Sequence, residues 1–243
     1  MTTKGDGKNR RSWLIVPASK PSAVDEASRS GADVVVLDLV EFVATKDKPA
    51  ARSNMRAAIE AVRAGGAEVF AQIDPLSFTH DLQSCVRPGL AGIVVSRAES
   101  ADQIDSIAAM LTVLEAERDL EPDSVHIVTA LETARGNHAA YDILRASPRV
   151  WGATLGRADL IMDLRPEPSG EIHLMPYLMQ RLIIVAGAAD VTPIGAWWRA
   201  PDRGLLATPK NTFEAARRGR AIGFRGAMAL RADQVQSVKK AYA

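Results

Sequence analysis

HIVTALETARGNHAAY (126–141) and, after a short link, WGATLGRADLIMDL (151–164) decide how this chain is read. Each begins as an apolar run of strand length and passes into a helical pattern. Each also carries an acid near that passage, Glu132 in the first and Asp159 in the second. Such units mark parallel strands joined by helices. If the two runs are neighbouring parallel strands, both carboxylates emerge at one rim. Two hard oxygen ligands there, with room for water and substrate, suit Mg²⁺.

The same alternation runs along the whole chain. Strand-like runs fall at 12–17, 33–39, 68–73, 92–97, 126–132, 150–156, 192–198 and 226–231. Their apolarity is continuous rather than alternating, as expected for strands covered on both faces. Helical patterns fill 21–30, 49–64, 101–118, 133–146, 174–189 and 212–222, with a short one at 81–86 and a long loop expected at 199–211. Eight such units in 243 residues favour an α/β fold of the closed (β/α)8 TIM-barrel type over an open sheet. An open dinucleotide-binding sheet would want a glycine-rich turn after its first strand, and no GxGxxG occurs. Residues 1–10 read as a flexible N-terminal tail and 11–243 as one barrel domain.

Composition narrows the function. Hydrophobic residues make up 47% and charged residues 24%, enough for a core and unlike a disordered chain. A formal net charge of +1 gives no pull toward nucleic acid or an acidic membrane surface, so neither is expected as a partner. The longest greasy run, Leu182–Ala189, is too short to span a bilayer, and no apolar signal segment opens the chain. Cys85 stands alone, which rules out an intramolecular disulfide and suits a reducing cytoplasm; a packing role is expected for it. No histidine spacing suggests zinc. A cytoplasmic protein acting on a small-molecule substrate is expected.

In a barrel, catalytic groups lie at the C-terminal ends of the strands. That rule nominates Lys20, Asp38, Glu41, Gln72, Asp74, Arg97, Glu132, Arg135, Asp159, Trp197 and Arg231. A ring of structural ion pairs is the bland alternative for the rim, and helix capping is the bland alternative for Glu132 and Asp159. Asp38, Glu41 and Asp74 compete as general base, and a metal-bound water is a fourth candidate.

RSWLIVPASKP (11–21), SGADVVVLDLVEFV (30–43), PGLAGIVVSRAES (88–100), ALETARG (130–136), SPRVWGATLGRADL (147–160) and GFRGAMALRADQV (223–235) together make the chain recognisable. In their order and spacing it resembles the citrate lyase β-subunit-like branch of the HpcH/HpaI aldolase family, as a divergent member. The resemblance implies a (β/α)8 barrel, assembled as a homo-oligomer (trimer or hexamer). It implies a carbon–carbon lyase or aldolase acting on an oxoacid or acyl-CoA-type substrate through an enolate stabilised by Mg²⁺, or by Mn²⁺. Glu132 and Asp159 match the metal ligands, and Lys20 falls where relatives carry an arginine near the nucleotide end of a CoA thioester. Arg97 and Arg135 become candidates for neutralising a developing oxyanion.

The departures are as informative. Gln72-Ile73-Asp74-Pro75 stands where relatives usually have Arg-x-Asn-Pro, and an amide does not replace a bidentate guanidinium. Leu39-Val40-Glu41 replaces Leu-Glu-Asp, Ser96-Arg97 replaces Pro-Lys, Ile194-Gly195-Ala196 replaces Ile-Asp-Gly, and Leu230-Arg231-Ala232 replaces Ile-His-Pro. The metal end of the site reads as kept and the oxoacid end as rewritten. Either Arg97, Arg135 or Arg231 takes over anion binding, or Trp197 with Trp198 walls a less acidic substrate. A thioester hydrolase is a close variant of the lyase. A barrel repurposed for biosynthetic condensation, cyclisation or rearrangement and a non-catalytic binding subunit are the two alternatives.

Overall fold

The continuous apolar runs do become strands covered on both faces. A computed structural model of the chain describes residues 9–166, 168–195 and 208–243, apart from the side chains at 157–159, 161 and 168–173. In it β1 (Ser12–Pro17), β2 (Val34–Asp38), β3 (Glu68–Ile73), β4 (Leu90–Val95), β5 (His126–Ala130), β6 (Val150–Thr154), β7 (Thr192–Gly195) and β8 (Gly226–Ala229) form a closed barrel in sequence order. All neighbours are parallel, and β8 closes onto β1 through Ser12–Leu14. This is the expected (β/α)8 architecture. Of the seventh run, 196–198 lie outside the described residues.

Side chains alternate across the sheet. Val35, Leu37, Val69, Ile93 and Ile127 point outward and pack with helix residues such as Ile59, Leu82, Ile107, Leu111 and Ile143. Trp13, Val36, Phe70, Val128, Trp151 and Met228 fill the interior. Each fully buried large apolar side chain stabilises the fold by about 1.5–3 kcal/mol. The floor of the barrel is closed by Arg10, which the sequence places in the tail but which is only 5% exposed. Its guanidinium lies 4.6 Å from the Trp151 ring and 5.2 Å from the Phe70 ring, and pairs with Glu68 at 2.7 Å. With Arg10 occupying the N-terminal end, the C-terminal mouth is the place for chemistry.

Helix starts follow local chemistry. Proline occupies the first turn of α1 (Pro21–Ser28) and α2 (Lys48–Ala64), where its missing N–H costs nothing. After α3 (Phe78–Cys85), Ser100 and Gln103 form a reciprocal capping box on α4 (Ala101–Glu117). The single helix expected over 133–146 is two, α5 (Ala134–His138) and α6 (Ala140–Arg145), broken at Ala139. Then come α7 (Arg157–Leu164) and α8 (Pro168–Ala189). Of the loop expected at 199–211, residues 199–207 lie outside the described ones, and the last three open α9 (Pro209–Ile222), because Thr208 accepts from the Asn211 N–H and Pro209 opens the turn. A last helix, α10 (Ala232–Ala241), was not expected. No helix among the described residues is long and apolar enough to cross a membrane.

Candidate active site

Register places the mouth residues. Asp38 is level with Gln72, Gln72 with Val94, and Ala130 with Thr154. Val94 and Ala130 belong to the interior cluster. By the two-residue period, Asp38, Gln72, Ser96, Glu132 and Thr154 therefore face the barrel axis at its C-terminal end. All five are at most 4% exposed.

Glu132 sits just past β5 and is held from two sides. Its Oε1 accepts the backbone N–H of Arg97 at 2.7 Å. Its Oε2 lies over Gly156, where an added Cβ would come within 2.0 Å of that oxygen. Only glycine leaves this cradle open. Arg97 can aim its N–H this way because it adopts φ +44°, a left-handed conformation that costs a non-glycine residue about 1 kcal/mol or more. The helix cap of α5 is not Glu132 but Thr133, whose Oγ1 accepts from the Gly136 N–H at 3.0 Å. Gly136 in turn packs against the Ala98 carbonyl, which a Cβ would meet at 2.2 Å. ALETARG is thus a turn in which Thr133 starts the helix, Gly136 lets it approach β4, and Glu132 is left facing inward.

A second cluster joins β2, β3 and β4. The Gln72 amide nitrogen donates to Glu41 Oε1 at 3.0 Å and to Ser96 Oγ at 2.8 Å. Asp74 lies 3.8 Å from the Arg97 guanidinium and 3.7 Å from the Lys48 ammonium. Arg97 therefore links the two clusters, by its backbone to Glu132 and by its side chain to Asp74. Lys48 was not among the sequence candidates, because it lies ten residues past β2 in the first turn of α2.

Asp38 is fully buried, and its carboxylate accepts from the N–H groups of Val40, Glu41 and Phe42 at 2.9, 3.2 and 2.7 Å. Burial pushes its pKa up, and these backbone donors with the Lys48 charge offset part of that rise. Its evident work is to hold the turn that carries Glu41. Arg135 is 77% exposed and leans on Glu99 at 3.6 Å. Lys20 is exposed at the start of α1. Arg231 starts α10, pairs with Asp233, and lines a separate crevice of about 400 Å³ beside Ile15, Pro17, Ala23 and Glu26. None of these three joins the Glu132 or Gln72 cluster by a described contact. Asp159 falls in the first turn of α7, three residues after Gly156, and its side chain lies outside the described ones, as does all of Trp197. Cys85 is buried, and burial pushes its thiol up to about 12, which fits a packing role.

Besides Lys48, two site residues escaped the sequence reading. Gly156 stood only as a letter of GRADL, although a glycine just past a strand end is a signal of close approach. Thr154 is buried at 3% with no partner for its hydroxyl among the described residues; an irregularity at Trp151 shifts the register of β6, so strand parity in the sequence could not have found it.

Comparison with known proteins follows the same blocks. A model of the HpcH/HpaI aldolase/citrate lyase family matches residues 11–232. The citrate lyase subunit beta of Leuconostoc mesenteroides subsp. cremoris is 24% identical over 237 residues, covering 96% of this chain and 77% of that one. A citrate lyase subunit beta-like protein of Mycobacterium tuberculosis is 30% identical over 251 residues, covering 95% and 78%. The crystal structure of CitE from Mycobacterium tuberculosis, in complex with magnesium, acetoacetate and coenzyme A, matches with a TM-score of 0.72 at 25% identity, covering 96% of this chain and 80% of that one.

Proposed function

The chain belongs to the HpcH/HpaI aldolase/citrate lyase family, and we propose from that premise that it is a Mg²⁺-dependent carbon–carbon lyase or aldolase for an oxoacid or acyl-CoA-type substrate. The observation that carries this reading is Glu132. It is a carboxylate 3% exposed, fixed by the Arg97 N–H and given space by Gly156. A buried acid prepared in this way fits an oxygen-seeking cation. Asp159 is the second ligand in this reading, with water and substrate completing the shell; Mn²⁺ would suit the same donors. The relative CitE, complexed with magnesium, acetoacetate and coenzyme A, supports carrying metal and CoA thioester to this chain.

Bound there, the ion would supply Lewis-acid polarisation of a substrate carbonyl and offset the negative charge left when the carbon–carbon bond parts. The chain's own groups do the rest. Arg97, half-exposed beside Asp74, is placed to steady an anionic group at the rim. Asp38 spends its oxygens on three backbone donors, so proton transfer falls to Glu41 or Asp74. At the opposite end of the barrel Arg10 lies over the Trp151 ring and pairs with Glu68. A barrel working in the condensing direction on a less acidic substrate is the second reading, favoured by the amide at Gln72.

The test is incubation with Mg²⁺ and malyl-CoA- or citramalyl-CoA-type thioesters, alongside dicarboxylic oxoacids, with chromatographic detection of the carbonyl fragment. Cleavage should stop on chelation and fall by about a hundredfold or more in Glu132→Gln. Cleavage that survives both treatments means the metal reading is wrong.

A further inference from the structure

Three consecutive strands place small residues side by side at one level of the mouth. The β4–β5 register pairs Val95 with Thr129, so the next residues, Ser96 and Ala130, are level, and Ala130 pairs with Thr154 on β6. Ser96 faces inward, because its Oγ meets the inward Gln72 amide at 2.8 Å. Thr154 faces inward as well. Cβ atoms added to Gly152 and Gly156, two residues to either side, would meet interior Val128 and Ile194 and the Glu132 carboxylate. Lower down, the interior is filled by Trp13, Val36, Phe70 and Val128, the bulky kind of residue that a barrel core takes. Here it is lined by serine, alanine and threonine, one inward step, about 7 Å, below Glu132. Ser96 and Thr154 are 1% and 3% exposed. The Thr154 hydroxyl has no partner among the described residues. The Ser96 oxygen accepts from Gln72, so its own O–H is left to donate, and it meets no acceptor among the described residues. A hydroxyl buried without an acceptor destabilises a fold. Two in one layer, with the Ala130 methyl between them, are donors held ready for a group that enters from the mouth.

We propose that the Ser96 and Thr154 hydroxyls are substrate-binding groups: they donate hydrogen bonds to acceptor oxygens at the inner end of the substrate, a carboxylate or a carbonyl, and hold it over Ala130 beneath Glu132. This rests on the reading of the mouth as the catalytic end, with the metal at Glu132.

The probe is oxaloacetate, which carries acceptor oxygens at both ends, so either orientation presents them to the hydroxyls. Its affinity is measured by isothermal titration calorimetry, with Mg²⁺ and after chelation, and the melting temperature of each unliganded protein is recorded alongside. Wild type is compared with Thr154→Val, which keeps the shape and removes the hydroxyl, with Thr154→Ser, which keeps the hydroxyl, and with Ser96→Ala. Thr154→Val and Ser96→Ala should each bind about tenfold more weakly, the scale of one hydrogen bond to a charged acceptor. Thr154→Ser should stay within about twofold of wild type. Without ligand, Thr154→Val should melt at or above the wild-type temperature, because it removes a buried hydroxyl that the fold leaves unpaired. A hydroxyl with a purely structural role would instead lower that temperature on removal. Wild-type affinity in Thr154→Val or in Ser96→Ala overturns the inference. So does a Thr154→Val protein that melts several degrees lower, a Thr154→Ser protein as weak as Thr154→Val, or a wild type that binds no oxaloacetate in either condition. Binding that Mg²⁺ does not strengthen, yet Thr154→Val and Ser96→Ala still weaken, counts against the metal reading alone and upholds the hydroxyl pair.

Discussion

Alanine at position 156 would place a methyl carbon 2.0 Å from a Glu132 oxygen, so the carboxylate must leave its cradle. Gly156→Ala should therefore weaken Mg²⁺ binding by about tenfold or more with the acid still present, as read from the metal dependence of thermal unfolding. An unchanged metal response would mean that the cradle has no part in binding. Asp38 gives a pH prediction. Burial raises its folded pKa above the ordinary 3.8, so the folded state keeps this proton longer than the unfolded chain does. Its stabilising contribution is present below that value and lost as pH rises through the folded one. Across this window the melting temperature of wild type should fall relative to that of Asp38→Asn; parallel curves would refute it. Gln72 was legible in the sequence as a departure. Its commitment to Glu41 and Ser96 was not, because those partners are 31 and 24 residues away and meet only through strand order.

Among the elements, α4 is tied to the residue that leads into β6 by a buried ion pair. Arg149 and Glu115 are 4% and 2% exposed and 2.6 Å apart, and Glu115 also accepts from the N–H groups of Asp123 and Val125. Burial alone would raise the Glu115 pKa, but the guanidinium and the backbone donors outweigh it and hold the carboxyl below its ordinary range. Glu115→Gln leaves a buried guanidinium short of charge and should cost about 3 kcal/mol, lowering the melting temperature by about 6–12 °C. A shift within error would show the pair to be dispensable. Strand cores were legible from apolar runs, while their ends were not. The run at 126–132 reads as strand through Glu132, but the strand ends at Ala130; Leu131 makes one last bond to the Thr154 carbonyl before the turn into Thr133. The α10 helix was missed because its apolar residues are few; Val235, Val238 and Ala241 make one narrow stripe in a polar segment.

The molecule as a whole was the most legible level. Eight apolar runs separated by helical patterns leave few alternatives to a closed barrel, and the barrel closes in chain order. Its N-terminal plug was not legible, since Arg10 reads as one charge in a polar leader until Trp151 and Phe70 are brought beneath it. Global packing also makes Cys85 a probe: with its thiol raised to about 12, it should resist thiol reagents in the native protein and react only on unfolding. Rapid native labelling would contradict that packing. Of all these tests, thermal unfolding of the wild type and of Glu132→Gln, each with and without millimolar Mg²⁺, bears most directly on the metal site. A cation that binds only the folded barrel must raise its melting temperature. The predicted result is a rise in the wild type that vanishes in Glu132→Gln; no rise in the wild type, or an equal rise in both, would contradict a metal site at Glu132.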